Sequence, residues 1–224
     1  MVDFFNPEMS RTYDEKNSKL APIAHGMHFL ARLVLQGLPG EARILCVGVG
    51  TGAEILSLAR EYPQWRFIGV DPSSAMLAVC RQRLEEAGVL DRCELVHGYV
   101  RDAGGAFDAV LSILVGHFIR REDRPEFYRN VHARLKPGGI FVNTEISFDL
   151  ESPEYPAMLE SWGRVQALMG ATPESLQSLP HALRNVLTVL PPAEVEALMR
   201  ANGFALPLRF FQAMMIMGWY AVKG

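Results

Sequence analysis

Two periods of apolar recurrence alternate along this chain. Short, nearly unbroken apolar runs at Ile44 to Val47, Phe67 to Val70, Cys93 to His97, Phe107 to Ile113 and Ile140 to Ser147 read as strands buried on both faces. Between them the apolar residues return every three or four positions, as helices do. Ile23, Met27, Leu30 and Val34 mark one over 23–36, a second spans 53–60, and Leu77, Cys80, Leu84 and Ala87 mark one over 73–87. Asp123 and Glu126 open another, with Phe127, Val131 and Leu135 on one face, and Lys136-Pro137-Gly138-Gly139 stops it. Strands alternating with helices predict a parallel, doubly wound α/β sheet that holds its ligand at the carboxyl ends of the strands.

Three stretches depart from this rhythm. Residues 9–19 are polar and charged around Tyr13 and predict a helix laid loosely over the sheet end. After 149, Pro153, Pro156, Pro173 and Pro180 punctuate short helical pieces such as 158–169, whose apolar residues are too few for a core of their own. This insertion reads as a helical lid. Helix 192–202 follows, with Val195, Leu198 and Met199 inward and Gly203 as its C-cap. The tail alternates at Leu206, Leu208 and Phe210 and runs on through 214–222, predicting an antiparallel hairpin that completes a seven-stranded, mostly parallel sheet. One domain therefore spans 1–224: N-terminal helices (1–40), a ligand-binding core (41–148), the lid (149–190), and a final helix with hairpin (191–224).

The chemistry concentrates where the first strand meets its helix, Ile44 through Leu56. A Gly-rich turn feeding a helix brings bare backbone amides and the positive end of the helix close to a ligand. Gly48 suits the sharp turn, Gly50 the close approach of a ligand, and Gly52 tight packing of helix on strand. Thr51 and Glu54 have the spacing of a capping box, with a ligand contact the alternative for Glu54. Asp71 ends the second strand, 19 residues after Gly52. A carboxylate at that distance accepts hydrogen bonds from ribose hydroxyls, and it can also cap the helix beyond Pro72 and Ser73.

Composition narrows the partners. A formal charge of −3 gives no electrostatic reason to expect nucleic acid. Cys46, Cys80 and Cys93 lie in predicted core elements and read as reduced, and the six histidines are scattered, so no metal site is expected. The opening Met1 to Pro7 has no signal-peptide pattern and no apolar run is long enough to span a bilayer, so a cytoplasmic location without membrane attachment is expected.

Gly48-x-Gly50-x-Gly52, Asp71 and Leu135-Lys136-Pro137-Gly138-Gly139 ahead of a strand together resemble the class I S-adenosylmethionine-dependent methyltransferases over roughly 43–147. The resemblance implies a Rossmann-like fold with S-adenosyl-L-methionine as cofactor. It sets Gly48, Val49, Gly50, Thr51 and Gly52 against the methionine part, Asp71 and Pro72 at the ribose, Met76, Tyr99 and Val100 at the adenine, and Ser112 at the end of the fourth strand. Two positions depart from the pattern: the family has an acid where Cys46 stands, and Asp or Glu where Tyr99 stands. Tyr99 would stack on the adenine or leave the contact to the Val100 amide. Within the family, Asp71 to Met76, His97 to Asp102 and Glu145 to Phe148 resemble the carboxy-S-adenosylmethionine synthases of tRNA wobble-uridine modification. Those enzymes carry an arginine in the late helical segment; the matching stretch here, Leu179 to Asn185, has none at that place, so ordinary methyl donation is expected.

Methyl transfer from a sulfonium asks the protein mainly for alignment and water exclusion, with a general base only if the acceptor atom carries a proton. His117, just past the fourth strand, is the candidate base, with a helix-start histidine the alternative; Tyr13, His25 and Glu145 are candidate substrate contacts. A lid with Leu, Met, Trp162 and proline suits a small, partly apolar acceptor, and the Met214 to Met217 run would line the same pocket or fill the core. A homodimer stays open. Three other readings fit parts of the pattern: a tRNA-modification-related S-adenosylmethionine enzyme, a nicotinamide-dependent oxidoreductase on the strength of Gly48-x-Gly50-x-x-Ala53, and a non-catalytic cofactor-binding subunit.

Overall fold

The computed structural model describes residues 18–224. The helix expected over 9–19 and its Tyr13 therefore lie outside the described residues, save the last two positions. The elements follow in order as α1 (Ala21–Leu35), β1 (Arg43–Val47), α2 (Ala53–Glu61), β2 (Arg66–Asp71), α3 (Ser74–Glu86), β3 (Cys93–His97), β4 (Phe107–Ile113), α4 (Arg124–Arg134), β5 (Leu135–Ile146), α5 (Tyr155–Leu168), α6 (Pro173–His181), α7 (Pro192–Ala201), β6 (Leu208–Ala213) and β7 (Ile216–Val222).

The sheet has seven strands in the order β3-β2-β1-β4-β5-β7-β6. Strands β1 to β5 run parallel and β7 pairs antiparallel with both β5 and β6, so the closing hairpin inserts its second strand beside β5. The order reverses between β1 and β4, where a crevice opens at the carboxyl ends of the strands. Both faces of the central strands are covered. One cluster holds Leu45, Val70, Val110, Phe141 and Trp219; the other holds Ile44, Phe67, Leu111 and Val142. That two-sided burial explains why these strands appear in the sequence as continuous apolar runs.

One expectation about this region changes. Strand β5 begins at Leu135 rather than 140: Leu135 pairs with Phe107 and Ile140 with Ala109, so Lys136 to Gly139 bulge out of register. The turn is held on two sides. Lys136 Nζ lies 2.8 Å from both Asp108 carboxylate oxygens, and the Gly138 amide donates to the Lys223 carbonyl at 2.8 Å. The insertion, whose apolar residues are too few for a core of their own, shares them with other elements. Leu150, Tyr155, Trp162, Val165 and Leu183 form one buried cluster with Met27 of α1 and with Met215 and Ile216 at the hairpin turn. A segment whose apolar residues cannot close a core alone becomes ordered by packing on two other elements.

That packing gives a test. Trp162 is 3% exposed, and truncating a buried Trp removes its transfer free energy and leaves a cavity, a cost of about 3–5 kcal/mol. Trp162→Ala is expected to lose that much in urea denaturation; a loss below about 1 kcal/mol would show that the insertion does not pack on the body of the fold.

Candidate cofactor and methyl-transfer site

A cavity of about 450 Å³ opens at the carboxyl ends of β1, β2 and β4. Its first wall is the glycine turn after β1. Gly48 has φ +62°, and a Cβ there would stand 2.5 Å from a Val115 methyl, so neither the backbone nor the space admits a side chain. Gly50, at φ +52°, borders the cavity, and a Cβ there would point into space with nothing nearer than 3.9 Å: a side chain would take room that a ligand can use. Gly52 caps α2 from the left-handed region, and a Cβ there would meet the Cys80 sulfur of α3 at 2.7 Å.

The capping box expected between Thr51 and Glu54 does not form. Gly52 is the N-cap with no side-chain cap bond, and the Thr51 hydroxyl instead accepts from Arg83 Nη1 at 2.8 Å. Glu54 is buried below the turn, and burial, reinforced by Asp71, pushes its carboxyl up to about 8 against the opposing pull of its own backbone hydrogen bond and of Arg83.

The second wall is organised by Asp71, 7% exposed. Its Oδ2 accepts the Gly50 amide at 2.9 Å and its Oδ1 the Ser73 amide at 2.8 Å. One carboxylate thus ties the end of β2 to the glycine turn and to the start of α3, where Ser73 caps the helix by accepting from the Met76 amide at 3.4 Å. Pro72, Met76, Tyr99 and Val100 complete this side of the cavity, with the Arg101 guanidinium 5.3 Å above the Tyr99 ring.

The third wall is apolar. At the end of β4 the chain turns through Leu114, a non-glycine residue at φ +57°, whose amide donates to the Thr144 carbonyl at 2.8 Å and hydroxyl at 3.0 Å. Leu114, Val115, Phe118 and Ile119 face the cavity; Asp123, Glu126 and Phe127 from the start of α4 extend the wall.

Not every expected residue reaches the cavity. Val49, Thr51 and Gly52 lie beneath the turn and support it, and Ser112 is fully buried inside β4. His25 is exposed on α1 and borders no part of the cavity. His117 is 4% exposed and turned away from the mouth where it was expected: its Nδ1 accepts the Ile146 amide at 3.2 Å, and burial, with Arg124 nearby, lowers its pKa to about 3. Glu145 is fully buried 2.6 Å from Arg124 Nη1, with Asn143 donating to its other oxygen at 3.3 Å. Its carboxyl is raised by burial, against the pull of Arg124. In turn, Leu114, Val115, Phe118, Ile119 and Asp123 escaped the sequence reading. Their only sequence signal is that they follow the carboxyl end of a central strand, where such folds hold their ligands.

The residues fit S-adenosylmethionine. Bare backbone at Gly50 leaves room for the methionine part, the Asp71 carboxylate stands between the two ends of the cavity with acceptor capacity on each oxygen, and Met76, Tyr99 and Val100 form an apolar slot for a flat ring. Among the described residues no cluster of His, Cys, Asp or Glu could hold a metal ion, and no helix is long and apolar enough to cross a membrane.

Comparison with known proteins agrees with this geometry. Residues 44–139 match the model of the methyltransferase domain family. The chain is 25% identical over 202 residues to the carboxy-S-adenosyl-L-methionine synthase of Campylobacter fetus subsp. fetus (strain 82-40), covering 89% of this chain and 86% of that enzyme. It is 33% identical over 120 residues to the fatty-acid O-methyltransferase of Mycolicibacterium smegmatis, covering 52% of this chain and 42% of that one. Its fold matches the S-adenosylmethionine-dependent methyltransferase SibL with a TM-score of 0.69 at 20% identity, over 99% of this chain but 60% of SibL, so the chain spans little more than half the length of that structural relative. Fold, site and sequence together define a Rossmann-like, S-adenosylmethionine-binding methyltransferase. Within that class, residues 44–139 carry the methyltransferase domain, and the chain is distantly similar to the carboxy-S-adenosylmethionine synthases.

Glu54 makes the site's support pH-dependent. Its folded-state pKa lies above the ordinary 4.5, so the folded protein holds that proton more tightly than the unfolded chain does. The associated stability is full below about pH 4.5 and is lost as pH rises toward 8. Glu54→Gln, which carries no titrating proton, is expected to gain stability relative to the parent between about pH 5 and 8.5 in chemical denaturation; a difference independent of pH would show that Glu54 is not held protonated.

Proposed function

We propose that this chain transfers the methyl group of S-adenosylmethionine to a small, partly apolar molecule. The observation that carries the reading is the composition of the cavity: bare glycine backbone on one side, a buried carboxylate in the middle, and the apolar wall of Leu114, Val115, Phe118 and Ile119 opposite. The bound cofactor supplies an activated methyl group on a cationic sulfur. Gly48 and Gly50 accommodate its methionine end, Asp71 accepts from the ribose hydroxyls, and Met76, Tyr99 and Val100 hold the adenine. Val49, Thr51, Gly52 and Pro72 keep those groups in place, and Ser112 lies buried within β4. The apolar wall excludes water and aligns the acceptor. His117 and Glu145 serve the architecture behind that wall.

A small acceptor is favoured by the net charge of −3, which provides no broad basic face for a phosphate backbone. The name of the fatty-acid O-methyltransferase points the same way.

Calorimetry with S-adenosylhomocysteine tests the cofactor contacts. Loss of hydrogen bonds to a buried carboxylate costs about 1–3 kcal/mol, so Asp71→Ala is expected to weaken binding by about 5- to 150-fold; unchanged affinity would remove Asp71 from the ribose contact. Filter binding with bulk tRNA tests the acceptor class. No retention is expected at physiological salt, whereas saturable, salt-resistant retention would replace the small molecule by an RNA.

A further inference from the structure

Beside the donor cavity lies a second, larger one of about 1010 Å³, and the two share Phe118 and Asp123 in their walls. Its far side is the closing stretch of the insertion, residues 183–191. Both walls are pinned from the core. Arg124, fully buried, donates through Nε to the Ile119 carbonyl at 3.2 Å and through Nη2 to the Thr188 carbonyl at 3.1 Å, so one guanidinium ties the partition to the insertion. The Thr188 amide donates to the His117 carbonyl at 2.8 Å, and the Ser147 hydroxyl to the Leu190 carbonyl at 2.7 Å. A cavity framed in this way is a built feature of the fold, not a gap between loosely apposed loops.

Its chemistry is layered. Leu150, Leu183 and Leu190 are buried in its lining, and Leu187 and Val189 are partly buried beside them. The arginines at its rim are already matched: Arg120 to Asp123 and Glu122, Arg121 to Glu194, and Arg184 to Glu151, with the Arg184 guanidinium also 5.1 Å from the Tyr155 ring. Guanidinium groups engaged by carboxylates offer little to an incoming phosphate, while the accessible apolar surface of Leu187 and Val189 gains from being covered by an apolar body. The shared partition adds the deciding constraint, because methyl transfer requires the acceptor atom to reach van der Waals contact with the donor carbon from the side opposite the sulfur.

We propose that this second cavity receives the methyl acceptor, an amphipathic small molecule whose apolar body lies on the half-exposed Leu187 and Val189 and whose reacting end passes Phe118 toward the donor. The proposal rests on the methyl-transfer reading and locates its acceptor. In the transfer, a lone pair of the acceptor atom forms the bond to the methyl carbon as the carbon–sulfur bond breaks, and that bonding pair stays on sulfur. Any proton on the acceptor atom leaves to water. Leu187, which borders only the second cavity, sets the length of acceptor that fits.

Dodecanoate, dodecan-1-ol and dodecylamine serve as probes, titrated calorimetrically into the protein saturated with S-adenosylhomocysteine. At least one is expected to bind saturably, without displacing S-adenosylhomocysteine, and with affinity that changes less than about threefold between low and high salt. Leu187→Trp is expected to weaken that probe at least tenfold while S-adenosylhomocysteine affinity stays within twofold, which also shows that the variant is folded. The assignment is overturned if none of the probes binds, if the probe competes with S-adenosylhomocysteine, if binding falls steeply with salt as for an anion held by arginine, or if Leu187→Trp has no effect. Failure of S-adenosylhomocysteine to bind the parent would sink the cofactor contacts instead; with the probes then titrated into the protein alone, saturable binding lost in Leu187→Trp would still assign the second cavity its amphipathic ligand.

Discussion

The buried ion pair between Arg124 and Glu145 is the constraint on which the ligand end of this fold depends. Neither side chain is exposed to solvent, and Arg124 also donates through Nε and Nη2 to the carbonyls of Ile119 and Thr188. Such a pair adds little net stability over a well-packed apolar replacement, because removing two charges from water offsets most of their attraction. Its value lies in specification. Losing either partner would strand a charge among apolar groups at a cost of about 3–5 kcal/mol, so the arrangement that satisfies both is strongly preferred over its neighbours. The pair thereby fixes the segment after β4, whose outward side chains wall the donor cavity. Gly116 records how tight the fit is: a Cβ there would stand 2.1 Å from Glu145 Oε2.

On the opposite side of the donor cavity, a second carboxylate does comparable work with backbone partners. Asp71 accepts one amide from the glycine turn and one from the start of α3, so β1, β2 and α3 are held in register where their ends meet. The turn has no acid on β1, where Cys46 is fully buried. The buried acid nearest to that role is Glu54, in the first turn of α2, whose carboxyl is raised by burial. Two acids close together under one turn cannot both ionise freely. Asp71 has two amide donors, and burial makes Glu54 the one that holds its proton.

The sheet was legible because its strands and helices carry their own periods. Ile44 to Val47, Phe67 to Val70 and Phe107 to Ile113 are continuous apolar runs, and two-sided burial leaves no other reading at that length. The glycine turn and Asp71 were legible because each residue type answers a local backbone or hydrogen-bonding need. The misplacements share a different cause. His117 and Glu145 look like chemistry in a sequence, since nothing local announces that Arg124, Asn143 and the Ile146 amide will satisfy them. Leu114, Val115 and Phe118 look like ordinary core, since only the sheet order places them against the glycine turn. The partners of Trp162 were not legible either, since Met27 and Ile216 are more than fifty residues away in either direction along the chain.

The same distinction accounts for how the fold divides its labour. The donor side is written in short-range features, a turn and a cap that any sequence must spell out locally, and it carries the family signature. The second cavity is framed by the segment after β4 and the end of the insertion, joined through Arg124, the Thr188 amide and the Ser147 hydroxyl among other contacts. These contacts use backbone carbonyls as much as side chains, so the residues facing the second cavity, such as Leu187 and Val189, can change without disturbing the frame that presents them. The lining of the second cavity can thus vary while the glycine turn and Asp71 stay fixed, which is the physical form that functional variation takes on a shared scaffold.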